Sequence, residues 1–295
     1  MQLDKSLYPD HVQPQLGKCF ADEMRKYPWS AKLEPHYSRL RATDNAILEV
    51  PDGSHSFSTA LWSTCYKDMA GAVLWHYTPI AGLAGILKSR EVWLHSLIKR
   101  MSQGELTDFA KQFDYSGLLA IGEDGQRIAD TFARDLFYLS LTEQEEPAGM
   151  WKDFGEVRLR LKIVPVQQRA QLWRMNYLPG GNPIPILKQF AQARFNRHFV
   201  PWQVSRNGAF FLDSYHSQEA EVRLLVKRFD QTTDLVVKQS QRHEAVAIPL
   251  GKPNSRVSID LVCIEVETKE SLTAVQQLLD AHVPDLNIQC TVCPL

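Results

Sequence analysis

Apolar and polar positions alternate residue by residue over much of the chain, and only a few stretches repeat every three or four residues. The alternation predicts strands at 72–77, 92–94, 137–142, 157–164, 210–213, 219–229, 235–238, 245–250, 259–266 and 287–292, with a weaker one at 171–177. Helical spacing appears after Thr78-Pro79, where Ile80, Leu83, Ile86 and Leu87 follow a hydroxyl suited to the N-cap and a proline suited to the first turn. Residues 97–135 read as mainly helical, interrupted near 122–125. A short helix carries Met150 and Trp151, another carries Ile186, Leu187, Phe190, Ala193 and Arg194, and a last one spans 271–282. Before Ser58 no period emerges, and Pro9, Pro14, Pro28 and Pro35 break the chain repeatedly.

Many strands with irregularly placed helices give an α+β fold class rather than a doubly wound one. Residues 1–70 are expected to form an N-terminal extension packing on a main domain over 71–295. The composition fits a globular protein, 44% hydrophobic and 23% charged. Lys and Arg number 33 against 34 Asp and Glu, so a broad electrostatic grip on nucleic acid is not expected, although a local basic groove stays open. The start, Met1-Gln2-Leu3-Asp4-Lys5, lacks an apolar secretory core, and no apolar run reaches membrane-spanning length. The five cysteines are odd in number and scattered, which suits reduced thiols in the cytoplasm.

Three polar clusters sit in strand-like apolar runs: Trp75-His76-Tyr77-Thr78, Tyr138-Leu139-Ser140-Leu141-Thr142 and Glu219-Ala220-Glu221-Val222-Arg223. Period two puts Tyr138, Ser140 and Thr142 on one face, and Glu219, Glu221 and Arg223 on one face. Each has a structural explanation: capping by Thr78, ordinary strand hydroxyls, or cross-strand ion pairs on a solvated face. The functional reading is that Arg223 neutralises and orients the two carboxylates, by a bidentate bond or a shared field, beside a pocket. Carboxylates held so can stabilise positive charge developing on a sugar carbon.

Other motifs carry less. Cys290-Thr291-Val292-Cys293 has ligand spacing without a second pair or a histidine partner, and no metal site is expected. Gly180-Gly181 reads as a loop, and no phosphate-binding glycine motif or serine elbow occurs. Arg194-Phe195-Asn196-Arg197-His198-Phe199, with Trp202 and Arg206, interleaves cations and aromatics as a nucleic-acid surface does, or as a basic helix end does.

Taken in order, the clusters resemble a widespread bacterial family of uncharacterised proteins. Its opening matches Trp75-His76-Tyr77-Thr78, then Gly82-Leu83, Gly85-Ile86-Leu87 and Val92-Trp93-Leu94. Its serine strand and following tryptophan match Ser140 and Trp151, and its E-x-E-x-R strand matches Glu219, Glu221 and Arg223. The likeness extends over residues 73–295. Two segments depart from it: Ser102-Gln103 replaces an Asn-Asp pair ahead of Glu105, and Asp153-Phe154-Gly155-Glu156 runs straight into a strand.

That family is similar in plan to ADP-ribosyltransferases, which implies a split pair of mostly antiparallel sheets around an NAD cleft, with NAD as substrate. On this resemblance His76 anchors a ribose with Tyr77 and Thr78 beside it. Tyr138, Ser140 and Trp151 shape the nicotinamide pocket, with Arg223 supporting the site. Glu221 is the key carboxylate and Glu219 engages the acceptor, or the two exchange roles. The implied protein is a cytoplasmic transferase of the toxin or phage-defence kind, acting on a macromolecular acceptor, protein or nucleic acid, away from membranes. Two competing readings are a non-catalytic protein- or RNA-binding module on the same scaffold, and a nucleic-acid-processing enzyme with Glu105, Glu219 and Glu221 as metal ligands.

Overall fold

The computed structural model describes residues 14–27, 40–49, 66–144, 149–166, 170–177, 184–202, 204–228, 235–239, 243–285 and 288–293. The described elements are, in order, α1 (Pro14–Met24), β1 (Leu40–Ala42) and β2 (Ala46–Glu49), then β3 (Val73–Thr78), α2 (Ile80–Ser89) and β4 (Glu91–Ser96). A 3-10 turn (Leu97–Gln103) and short helices α3 (Thr107–Gln112), α4 (Ser116–Leu119) and α5 (Ile128–Arg134) lead into β5 (Leu136–Thr142). There follow α6 (Met150–Phe154), β6 (Val157–Pro165), β7 (Ala170–Arg174), α7 (Ile184–Phe195), β8 (His198–Val200) and α8 (Val204–Gly208). A second 3-10 turn (Ser214–Glu219) enters β9 (Glu221–Lys227), and β10 (Val236–Gln239), β11 (Glu244–Pro249), β12 (Val257–Val266), α9 (Lys269–His282) and β13 (Gln289–Val292) complete the order.

The fold is α+β, with mostly antiparallel strands and flanking helices. The larger sheet runs β10-β11-β4-β5-β3-β6-β12-β13, and β9 pairs with β5 and β7 off this path. The pairing around β5 positions the site. One edge of β5 is covered along its length by β9, from Leu136↔Lys227 to Thr142↔Glu221. The other edge is shared: β4 pairs only with Phe137 and Tyr138, and β3 only with Thr142. Among the described residues, 139–141 therefore have no strand partner on that edge. The sheet splits there, with β4, β11 and β10 leaving to one side and β3, β6, β12 and β13 to the other.

Alternation explains which faces are dry. In β6, Leu159, Leu161 and Ile163 are fully buried, while Arg160, Lys162 and Val164 are exposed. Their core also takes Leu83 and Leu87 of α2 and Val275 and Leu279 of α9, pairs spaced by four on one helix face. Truncating one of these leucines to alanine should cost about 2–5 kcal/mol. A second core, around Phe109, Phe113, Phe210 and Phe211, packs the short helices against the face of β5 and β9 that carries Tyr138 and Leu225.

Four expectations need correction. The first seventy residues are not wholly irregular: Leu16, Phe20 and Met24, spaced by four on α1, are buried against Leu187, Ala191, Phe195 and Phe199. The helix is short, and tertiary packing rather than a long periodic run sustains it. Thr78 ends β3 instead of capping α2. Pro79 takes the cap position, and the Ile80 N–H donates to the Glu156 carboxylate at 3.3 Å. Residues 210–213 are not a strand: Phe210, Phe211 and Leu212 are all buried, with only an isolated bridge between Asn176 and Phe211. An unbroken apolar run carries no period to read. Finally β9 starts at Glu221, because Ala220 takes a left-handed φ of 41° and turns the chain.

Candidate active site

At the split in the sheet the exposed edge of β5 meets the end of β3. His76 Nδ1 lies 2.9 Å from the Ser140 carbonyl, satisfying a backbone group that no strand covers. A cleft of about 600 Å³ opens beside it, within the range of small-molecule sites. Its walls bring together His76, Tyr77, Tyr138, Ser140, Glu219 and Glu221 from the three sequence clusters. Trp75, His95, Lys99, Arg100, Met150, Phe154 and His216 also line it.

The cleft floor rests on a buried charge network. Register sets Ser140 opposite Arg223 and Thr142 opposite Glu221 on adjacent strands. Ser140 Oγ donates to Glu221 Oε1 at 2.6 Å. Arg223, fully buried, grips Glu221 through Nε at 3.0 Å and Nη2 at 3.1 Å. Its other edge binds Glu105, Nη1 to Oε2 at 2.9 Å and Nη2 to Oε1 at 2.8 Å. Arg100 touches both sides, with Nη1 donating to Ser140 Oγ at 3.3 Å and Nε 3.3 Å from Glu105 Oε1. Both guanidiniums also lie over the Tyr138 ring, at 5.8 Å for Arg100 and 5.2 Å for Arg223. The Glu221 N–H donates to Tyr177 Oη at 2.8 Å, fixing the backbone at the strand's first residue.

These contacts fix protonation. Burial alone raises the Glu221 carboxyl, but Arg223, Arg100 and the Ser140 hydroxyl reverse that and hold it below the ordinary carboxylate range. Burial lowers Arg223, and Glu105 and Glu221 raise it further, so the guanidinium stays charged. His76 is pushed down by burial, against the Ser140 carbonyl. His95 falls to about 4 through burial, then Lys99, His76 and His243. At neutral pH Glu221 is thus ionised, and His76 and His95 are neutral.

The remaining residues named from sequence lie differently. Glu219 reaches the cleft from the 3-10 turn, not from the strand face that period two suggested. Its carboxylate is 3.1 Å from His216 Nδ1, and its carbonyl accepts from Thr142 Oγ1 at 3.2 Å. Arg223 stands behind Glu221 rather than in the cleft wall. Trp151 packs edge-on against Tyr77 at 5.0 Å, so it backs the wall that its helix neighbours Met150 and Phe154 line. Thr78 is buried against Gly82, where an added Cβ would stand 2.2 Å from Thr78 Oγ1.

Arg100 and Tyr177 escaped the sequence reading because each is a lone polar residue outside the three clusters. Glu105 stands out in the sequence as the glutamate after Ser102-Gln103 and as part of a possible metal set, not as a partner of Arg223. Both its oxygens are engaged by Arg223, and it has no exposed surface. Among the described residues, no group of three or more His, Cys, Asp or Glu side chains is placed to hold a metal ion. Cys293 Sγ accepts from Arg158 Nη2 at 3.2 Å, and the same guanidinium also donates to Tyr77 Oη and the Glu265 carboxylate. Arg197 donates to the carbonyls of Thr43 and Phe195, both at 2.8 Å, a structural use of the basic segment after α7. No described helix is long and apolar enough to cross a membrane.

No protein-family model matches this chain, and no curated protein matches it in sequence.

Proposed function

We propose that the cleft binds NAD and that the protein is an ADP-ribosyltransferase acting on a macromolecular acceptor. The observation that carries this reading is an ionised carboxylate, Glu221, held by Ser140 and Arg223 at the bottom of a cleft where a sheet divides. The cleft's size and its mixture of aromatic rings, imidazoles, hydroxyls and one cationic wall suit a dinucleotide with flat bases and a diphosphate. Tyr77, Tyr138 and Phe154 offer surfaces for a base, His76 and Ser140 offer polar atoms for a ribose, and Lys99 and Arg100 offer charge for phosphate.

NAD supplies a glycosidic bond whose C1′–N cleavage releases neutral nicotinamide with the electron pair and leaves positive charge on the ribose carbon. Glu221 is suited to stabilise that charge, because its negative oxygen is fixed before the reaction and needs no reorganisation. Glu219, paired with His216 at the cleft wall, would take the proton that an incoming hydroxyl or amine loses as it bonds to C1′.

Two measurements test the reading together: calorimetric titration with NAD, and nicotinamide release followed by chromatography with a cell extract as acceptor source. The expected result is saturable uptake and steady release. Uptake without release would favour a binding module, and absence of both would reject the proposal.

A further inference from the structure

Resting on that reading, we infer that Glu105 is a positioning residue for Glu221, acting through Arg223 from outside the cleft. The side chains close a ring. Ser140 donates to Glu221, Glu221 accepts from Arg223, Arg223 donates to Glu105, Glu105 lies against Arg100, and Arg100 donates to Ser140. Glu105 and Arg223 are 118 residues apart in sequence, yet both are fully buried.

The ring has two chemical consequences. An arginine only donates, so the Arg100 contact occupies Ser140 as an acceptor and directs the hydroxyl proton to Glu221. The ring also balances two guanidiniums against two carboxylates. Removing the charge on Glu105 would leave an excess positive charge behind a reaction centre that must itself become positive. Without the Glu105 carboxylate the outer edge of the Arg223 guanidinium would be held by the Ala209 carbonyl alone, a single contact in place of a bidentate one, and the orientation of Glu221 would be set less firmly.

The backbone around Glu105 supports a specific placement. Gly104 has φ 96°, and Leu106, a residue with a Cβ, has φ 56°. Glycine adopts such an angle freely, but Leu106 is strained, and strained backbone persists only where the surrounding structure holds it; here Leu106 is itself packed in the second core. Glu105 is thereby turned inward against the two guanidiniums and away from solvent.

The test has three arms. In the unaltered protein, nitrogen-15 spectra should show the Arg223 guanidinium protons resolved and protected from exchange. A freely rotating, averaged guanidinium would overturn the inference, and this arm requires no variant to fold. In Glu105→Gln, carbon-13 spectra should show the Glu221 carboxyl titrating at a lower pH, by about one pH unit, because one negative neighbour is gone and both arginines remain. A titration left unmoved would show that Glu105 is not coupled to Glu221 through the ring, which counts against the inference. Nicotinamide release should fall about 10–100-fold in kcat, with KM for NAD within about threefold, as for an interaction needed chiefly in the transition state. An active parent with an equally active variant sinks the role of Glu105. An inactive parent sinks the transferase reading instead, while the two spectroscopic arms still decide whether Glu105 orders the ring.

Discussion

Gly155 and Thr78 approach each other so closely that no side chain fits between them. A Cβ built on Gly155 would stand 2.6 Å from the Thr78 carbonyl carbon and 2.7 Å from its oxygen. Gly155 also has φ 120° and ψ 164°, a region essentially reserved for glycine. The contact fastens α6, which brings Met150 and Phe154 to the cleft, to the end of the strand that carries His76.

Replacing Gly155 by alanine should therefore destabilise the protein by about 2 kcal/mol or more, since neither the backbone angle nor the neighbouring backbone can yield cheaply. Urea unfolding of parent and variant measures this directly. A loss below about 0.5 kcal/mol would mean that the two segments are not in contact.

Arg223→Met should cost about 3–5 kcal/mol, because two buried carboxylates, Glu105 and Glu221, would be left with Arg100 as their one neighbouring guanidinium in the ring. The triple variant with Glu105→Gln and Glu221→Gln should recover much of that loss, as both buried carboxylate charges are gone and the one charge left in the ring is Arg100 at the cleft wall. A triple variant no more stable than Arg223→Met would show that packing, not charge, sets the cost.

Ser140→Ala removes a donor to Glu221 and an acceptor for Arg100 in one step. Hydrogen bonds to charged groups are worth about 1.5–3 kcal/mol, so stability should drop measurably and nicotinamide release should fall at least about tenfold. Unchanged release would remove Ser140 from the mechanism while leaving the fold description intact.

Acid should weaken the fold in two stages. His95 titrates near pH 4 when folded against 6.5 when unfolded, so between those values the unfolded chain binds more protons and stability falls as pH falls. Glu221, held below 4.5, stabilises the folded state above that value, and its contribution is lost as pH drops through the folded value. Urea unfolding at pH 7 and pH 4.5 should show a smaller loss in His95→Gln than in the parent. Equal losses would contradict the first stage.

The alternation along the chain located most of the large sheet, including β5 and β6, because strands with one dry face announce themselves by period. It also brought His76, Ser140 and Glu221 into consideration, since each is a polar residue in an apolar run. Three kinds of information lay outside it. Ala220 breaks the strand by a left-handed turn, which neighbouring residue types did not signal, so Glu219 was placed on the wrong element. Glu105 and Arg100 join the site only through tertiary packing of the 3-10 turn and the chain that follows it. The buried run at 209–212 and the short α1 carry local patterns that only long-range packing makes meaningful.

The most direct trial of the central claim compares nicotinamide release by the parent and by Glu221→Gln, each checked for the same folded circular dichroism spectrum. Loss of a preorganised charge at the reaction centre should lower the rate about 10²–10³-fold while NAD still binds. Release by Glu221→Gln as fast as by the parent would contradict the assignment of Glu221 as the carboxylate that stabilises the developing charge.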